Sequence, residues 1–203
     1  MLNYDIEQEQ IDNGFSLVCG VDEAGRGPLC GPVVAAAVIL PCGLYIEGLD
    51  DSKKLTEKKR EKLFDIICES AIAYSIMQSS VEEINETDIL SATQSAMRRA
   101  VDALSPHADF ALIDGNIARG FSIPTMTVIG GDAKSPSIAA ASILAKVTRD
   151  RLCLELDKEY PQYQIAKHKG YGTKVHMDAL REFGPSPIHR TKFIRFLDKE
   201  EKK

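Results

Sequence analysis

Four acidic residues, Asp22, Glu23, Asp114 and Asp132, share one property: each lies at or just beyond the end of an apolar run, with glycine close by. Strand ends in α/β sheets are where sites collect. Taken singly, each acid has an ordinary structural use. Asp22-Glu23 can be the polar end of a strand, Asp114-Gly115 a tight turn, and Asp132 a cap for the helix that follows. Gathered at one end of a sheet, they would repel one another unless protonated or neutralised by cations. An all-oxygen set with no Cys or His partner points to a hard divalent ion, Mg2+ or Mn2+. Two such ions, about 3.5–4 Å apart, could activate a water and stabilise the leaving oxygen in phosphodiester hydrolysis. The chemistry implied is that of a metal-dependent phosphodiesterase.

Three flanking segments suit a polyanionic substrate. In Gly25-Arg26-Gly27-Pro28, directly after the first acid pair, glycine lets the backbone approach a ligand and Arg26 can clasp a phosphate; alone, the segment also reads as a turn. Asp51-Ser52-Lys53-Lys54 offers a hydroxyl and two cations before a helix start, fit for backbone phosphates or for plain solvation. Gly170-Tyr171-Gly172-Thr173 sets an aromatic ring between glycines, where it can stack on a sugar or base or serve as a turn tyrosine. His168, His176 and His189 follow in the same region. None has zinc-site spacing with a second ligand, and helix capping or packing accounts for His176 as well as a place near substrate does.

The net charge of −5 over 203 residues argues at first against nucleic acid. Its distribution argues the other way. Residues 1–50 hold eight acids and one base, Arg26, whereas residues 165–196 hold seven bases (Lys167, Lys169, Lys174, Arg181, Arg190, Lys192, Arg195) against Asp178 and Glu182. One part could hold cations while the other grips a polyanion; an ordinary solvated helix surface is the plainer account. Two divalent ions would bring the formal charge from −5 to −1. No apolar run approaches the roughly 20 residues that span a bilayer, and the start MLNYDIEQEQ lacks the features of a secretory signal, so the expected location is cytoplasmic. The five cysteines form no C-x-x-C pair and are expected to be reduced and buried.

These side chains need elements to carry them. Residues 16–23 and 32–40 read as strands, and the short Gly/Pro-rich segment between them demands an antiparallel hairpin. Further strands are expected at 71–79, 109–114 and 125–129. Thr56 caps a helix over 57–69, Ser80 and Glu83 form a capping box for a short helix, and a longer helix runs over about 86–104. Pro136 opens an alanine-rich helix to about Tyr160, and a last helix runs from Thr173 to Phe183 with Gly184 as its stop. The order predicts an α/β fold, a mixed five-stranded sheet flanked by helices.

The runs Val21-Asp22-Glu23-Ala24-Gly25-Arg26-Gly27-Pro28, Asp51-Ser52-Lys53-Lys54-Leu55, Ile113-Asp114-Gly115, Gly131-Asp132-Ala133-Lys134, Ala140-Ala141-Ser142-Ile143-Leu144-Ala145-Lys146-Val147 and Tyr171-Gly172-Thr173 resemble bacterial ribonuclease HII, a type 2 ribonuclease H. The resemblance covers about residues 17 to 195. It implies a ribonuclease H-like fold as a single domain, a core over about 16–160 and a C-terminal helical extension over about 161–203. It implies an endonuclease that hydrolyses the RNA strand of RNA/DNA hybrids and cuts 5' of single ribonucleotides in duplex DNA, leaving 3'-hydroxyl and 5'-phosphate ends. Asp22, Glu23, Asp114 and Asp132 become the catalytic, metal-binding set for Mn2+ or Mg2+, with two ions during catalysis. Gly25, Arg26 and Gly27 become the loop that senses the 2'-hydroxyl, Tyr171 the ring that stacks on the following sugar, and Ser52 and Lys53 the contacts to substrate. Cys30 stands where the family often has a small residue. The sister family, ribonuclease HIII, carries an extra N-terminal domain, for which the roughly 16 residues before the first strand leave no room. No clamp-binding motif is visible, so a sliding clamp is a candidate partner without a recognisable signature, monomer is the default state, and the tail 198–203 is expected to fray. A non-catalytic nucleic-acid-binding module of the same fold is the alternative; it would bind without hydrolysis and without divalent metal.

Overall fold

The run Val33–Ile39 contains no polar residue, and a strand so composed must be covered on both faces. The computed structural model, which describes residues 2–197, shows that cover. The strands are β1 (Val18–Ala24), β2 (Val33–Ile39), β3 (Ala73–Ser79), β4 (Phe110–Asp114) and β5 (Thr125–Val128), in the sheet order β3-β2-β1-β4-β5. The first three pair antiparallel, the expected hairpin and its continuation, while β1–β4 and β4–β5 are parallel. The helices are α1 (Asp5–Asp12), α2 (Glu57–Ser70), α3 (Val81–Glu86), α4 (Ile89–Asp102), α5 (Pro136–Glu159), α6 (Ile165–His168) and α7 (Lys174–Phe183). Helix α4 covers one face through Ala96, Met97 and Ala100 against Cys19, Val21 and Ala37. Helices α2 and α5 cover the other, with Leu63, Ile67 and the alanines of α5 against Val34, Ala36 and Val38.

Residues 136–145 of α5 are buried all round. This part of the helix lies so close to β1 that a Cβ on Gly20 would stand 2.2 Å from the amide nitrogen of Ile138. Small residues on both sides permit that approach.

Local signals place most element ends. Thr56, Thr173 and Ser135 each accept a backbone amide of the first turn they cap. Two expectations are corrected. The capping box is half formed: Ser80 accepts the Glu83 amide, but the Glu83 carboxylate turns to Arg99. The long helix starts at Ile89 rather than near 86, because Asp88 accepts the amides of Leu90 and Ser91 and ends the irregular stretch before it. Helix α1 was not expected from so polar a segment. Its Glu7 is buried and accepts from the Ser135 hydroxyl at 2.6 Å and the Ser137 amide at 3.2 Å, at the start of α5. The cysteines are all free; Cys19, Cys30 and Cys153 are buried as expected, but Cys42 is exposed. The expectation for the tail 198–203 lies outside the described residues. Among the described residues, no helix is long and apolar enough to cross a membrane.

Candidate active site

Strand register brings the acids together. In the parallel pair β1–β4, Val21 stands opposite Ile113, so the next residues, Asp22 and Asp114, come level on neighbouring strands. Side chains alternate along a strand. Asp22 therefore lies on the α5 side, beside Ser142, and Glu23 on the α4 side, where it lines a small recess with Thr93, Gln94 and Met97. Two consecutive acids thus straddle the end of the sheet. Asp132 comes from the 3-10 turn Gly131–Ala133 after β5.

Asp22 and Asp132 are 4% and 5% exposed, and Glu23 and Asp114 are half-buried. Burial pushes the Asp22 carboxyl well above its ordinary range, and the charges of Glu23 and Asp114 push it further. Glu23 is raised by burial against the opposing pull of Arg26, whose Nη1 donates to Glu23 Oε1 at 3.3 Å. Asp114 is also raised by burial, although it accepts the Gly131 amide at 2.7 Å, and Asp132 adds to the rise. Lys53 Nζ donates to Asp132 Oδ2 at 3.3 Å; burial alone would lower the ammonium, but Asp132 raises it. No three of the acids bring carboxylate oxygens within 4.8 Å of one another, as like charges dictate. An oxygen-only set of partly desolvated, mutually repelling carboxylates fits a hard divalent cation.

Asp22, Glu23 and Asp114 line a cleft of about 230 Å³ with Gly25, Arg26, Gly27, Ser52, Lys53 and Tyr171. Asp132 is not on its wall and touches it through Lys53. The Tyr171 ring is 48% exposed and lies beside Gly27. Ser52 is buried, its hydroxyl 2.9 Å from that of Ser142. Ser142, Lys146 and Arg149 also line the cleft. Ser142 and Lys146 lie in one of the runs that carry the family resemblance, but sequence reasoning assigned no role to either of them or to Arg149, although Ser142 and Lys146 stand one turn apart on a helix that packs against β1.

The basic C-terminal segment does not behave as one charged face. Arg190 is fully buried and directs its guanidinium at the backbone of residues 25–32. Lys174 and Arg181 pair with Asp178, and Lys192 donates to the Thr87 carbonyl. His176 and His189 are buried, their Nε2 atoms 3.1 Å apart. The Ser186 amide points at His189 Nδ1, so His189 Nε2 carries the proton and donates to His176, whose Nδ1 donates to the Tyr171 carbonyl. The pair is neutral, anchors the Tyr171 turn and completes the packing role considered for His176. Cys30 Sγ lies within 4.8 Å of both nitrogens, but the two nitrogens are spent on each other, and burial raises the thiol to about 12.

A mixed sheet of this order, with carboxylates meeting at the ends of its first and fourth strands, defines an enzyme of the ribonuclease H fold. The model of one family, described as Ribonuclease HII, matches residues 19–196, and the chain belongs to that family. Ribonuclease HII of Acetivibrio thermocellus is 53% identical over 189 residues, 93% of this chain and 74% of the relative. That of Burkholderia mallei is 57% identical over 177 residues, 87% of this chain and 83% of the relative. Among solved structures, ribonuclease H2 from Pyrococcus horikoshii OT3 superposes with a TM-score of 0.75 at 27% identity, covering 93% of this chain and 100% of that one. Two others share the fold below 25% identity: RNase HII of Archaeoglobus fulgidus in complex with PCNA (TM-score 0.73, 24% identical, 88% of this chain and 95% of that one) and Bst-RNase HIII in complex with Mn2+ (0.67, 17%, 92% and 71%). The chain is therefore a type 2 ribonuclease H, an endonuclease of RNA/DNA hybrids from a divalent-metal-dependent family.

Proposed function

We propose that the chain cuts both the RNA strand of hybrids and duplex DNA that holds a single ribonucleotide, 5' of that ribonucleotide, leaving 3'-hydroxyl and 5'-phosphate ends. The observation that carries this is the placing of Asp22 and Glu23 on opposite sides of one strand end, next to a backbone loop and an exposed tyrosine in the same cleft. Asp22, Glu23, Asp114 and Asp132 would hold two Mg2+ or Mn2+ ions, which when bound supply an activated water and positive charge for the departing 3'-oxygen. The carboxylates orient the site because their strands are fixed by register. Gly25, Arg26 and Gly27 bring backbone to the sugar edge, where the 2'-hydroxyl distinguishes RNA from DNA. The Tyr171 ring would stack on the next sugar, and Lys53, with its side chain 78% exposed, is free to swing from Asp132 to a backbone phosphate. Ser52 acts beside it, its hydroxyl tied to Ser142.

The core and the C-terminal extension work as a single domain, because residues of both line the cleft. Every group invoked comes from one chain, so a monomer suffices. A cytoplasmic location and a sliding-clamp partner belong to the same proposal; the Archaeoglobus complex supports the latter, although no clamp motif is visible here. The test is cleavage of matched duplexes, all-DNA and one-ribonucleotide, with Mg2+, Mn2+ and EDTA in parallel. The expected result is one cut, 5' of the ribonucleotide, with either metal and none in EDTA. Equal cutting of the all-DNA duplex, or cutting in EDTA, overturns the reading.

A further inference from the structure

Arg190, like Arg149, is a buried cation bonded to backbone. Its side chain is fully buried, and no carboxylate pairs with it among the described residues. Burial, and the nearby charge of Arg149, lower its guanidinium to about 10, so it stays charged at neutral pH. What meets the charge is backbone. Nη2 donates to the carbonyls of Gly25 at 2.7 Å, Gly31 at 2.8 Å and Pro32 at 3.2 Å. Nη1 donates to Arg26 at 3.0 Å and Pro28 at 2.8 Å, and Nε to Gly31 at 2.9 Å. The backbone around Arg190 is locked to the same segment: its amide donates to the Leu29 carbonyl at 2.8 Å, and the Gly31 amide donates to Ile188 at 2.9 Å.

A loop with this many inward carbonyls has no regular partner strand to satisfy them, and buried carbonyls must be paired. The planar fork of Arg190 pairs those of Gly25, Arg26, Pro28, Gly31 and Pro32, and Arg149 pairs that of Cys30 and shares that of Pro32. The consequence reaches the other side of the loop. In a trans peptide the carbonyl and the next amide point opposite ways. Turning the Gly25 and Arg26 carbonyls to Arg190 therefore turns the Arg26 and Gly27 amides away from it. Neither amide donates to another protein group among the described residues.

We propose that Arg190 is a positioning residue that sets the shape of the loop 25–32, and through it the bond at which the enzyme cuts. The proposal rests on the reading of residues 25–27 as the loop that senses the sugar. Arg190 touches no substrate; it acts only through the loop's carbonyls. Lysine at this position would keep the charge but offer only three donors without the fork.

The experiment compares wild type, Arg190→Lys, Arg190→Gln and a control, Leu180→Ala, which removes a buried side chain of the same C-terminal cluster, the one that Leu29 and Cys30 join, but none of the hydrogen bonds between Arg190 and the loop. Each is checked for folding by circular dichroism. The substrate is a strand with a short run of ribonucleotides followed by DNA, and the readout is the distribution of cut bonds, which a smaller folded fraction leaves unmoved. Both Arg190 variants should spread the cuts over neighbouring bonds, with the preference for one bond falling about tenfold, while Leu180→Ala melts lower and cuts where wild type does. In parallel, amide exchange at Leu29 and Gly31, taken relative to amides of the central strands, should speed up by about tenfold more in Arg190→Lys than in the control. Folded Arg190 variants that cut at the wild-type bond overturn the proposal, and so does loss of the fold in both, which would assign Arg190 to general stability. If wild type itself shows no preferred bond, the sensing role of the loop falls; faster exchange in Arg190→Lys would still uphold its shaping by Arg190, and unchanged exchange would overturn that too.

Discussion

Asp22 lies near the end of β1 and Asp114 ends β4, both strands packed among alanine, valine and isoleucine, whereas residues 25–32, which begin just past the end of β1, are held chiefly by the guanidinium groups of Arg149 and Arg190. Arg149 alone donates to the carbonyls of Pro32, Lys169 and Cys30. The two means of support have different consequences. Apolar packing is non-directional, and it fixes the acids through strand register, as a property of the whole sheet. Charged hydrogen bonds are directional and specific to one backbone course. The acids proposed to carry the hydrolysis therefore depend on the core, and the groups read here as choosing the substrate depend on two side chains reaching in from α5 and the C-terminal segment.

The sharpest break between the regions comes from Asp22→Asn. Its cleavage of the one-ribonucleotide duplex should fall by on the order of 1,000-fold or more, because a carboxylate of the proposed metal-holding set is lost. Its stability should move the other way. The folded-state pKa of Asp22 is raised above its unfolded value, so the stability linked to this group is present below the ordinary carboxylate range and lost as pH rises through the folded value. In EDTA at pH 7 the variant should melt higher, and its advantage should shrink as the pH is lowered toward 4. A wild-type cleavage rate, or a lower melting temperature in EDTA, contradicts the shared-carboxylate account.

Gly20→Ala tests the packing side. Its Cβ would stand 2.2 Å from Ile138 nitrogen and Ser137 carbon, both backbone atoms that cannot rotate away. Separating β1 from α5 should cost about 3 kcal/mol or more, lowering the melting temperature by roughly 6–12 °C. The preferred cut bond should persist in the folded fraction, since the Arg190 bonds are untouched. A melting point within a degree of wild type would show that the helix can move aside.

Much of this division was visible in the sequence, and the invisible part has a physical reason. The strands were legible because β2 is wholly apolar and because charge follows each apolar run. The helix starts at Thr56 and Thr173 were legible because a cap is a local contact. The acids were legible for the same cause as the strands, since an ionisable group at the end of a buried run must be accounted for. Helix α1 was not, because it is tied down by the Glu7 carboxylate at the start of α5, a contact between residues 128 positions apart. Nor was Arg190. It stands in a basic segment five residues before Arg195, which is exposed, and nothing in local composition separates the two. What separates them is the set of carbonyls that only the folded loop presents.

The histidine pair gives a smaller effect on the same side as Arg190. Burial lowers His189 from 6.5 to about 4, with the neighbouring His176 adding to it. A folded-state value below the unfolded one means that the linked stability is complete above about pH 6.5 and lost as pH falls to about 4. The full span is on the order of 3 kcal/mol. Thermal melts of wild type and His189→Gln across that window should converge as the pH drops, because the glutamine cannot take up the proton. Parallel curves would show that the pair is not held neutral.

Lys53 gives the smallest effect on stability and bears most directly on the comparison. Its bond to Asp132 joins an exposed ammonium to a buried carboxylate, and exposed pairs contribute at most about 1 kcal/mol. Lys53→Ala should therefore melt within about 4 °C of wild type. If Lys53 serves as a phosphate contact, its loss should weaken duplex binding about equally for all sequences and reduce the salt dependence of binding by about one counterion. The cut bond should stay where it is, because neither the strand register nor the Arg190 bonds involve Lys53. A titration of duplex binding against salt, with the cut position mapped alongside, separates these outcomes. An unchanged salt slope would return Lys53 to a purely structural partner of Asp132, and a shifted cut bond would mean that the cation helps shape the site as Arg190 does.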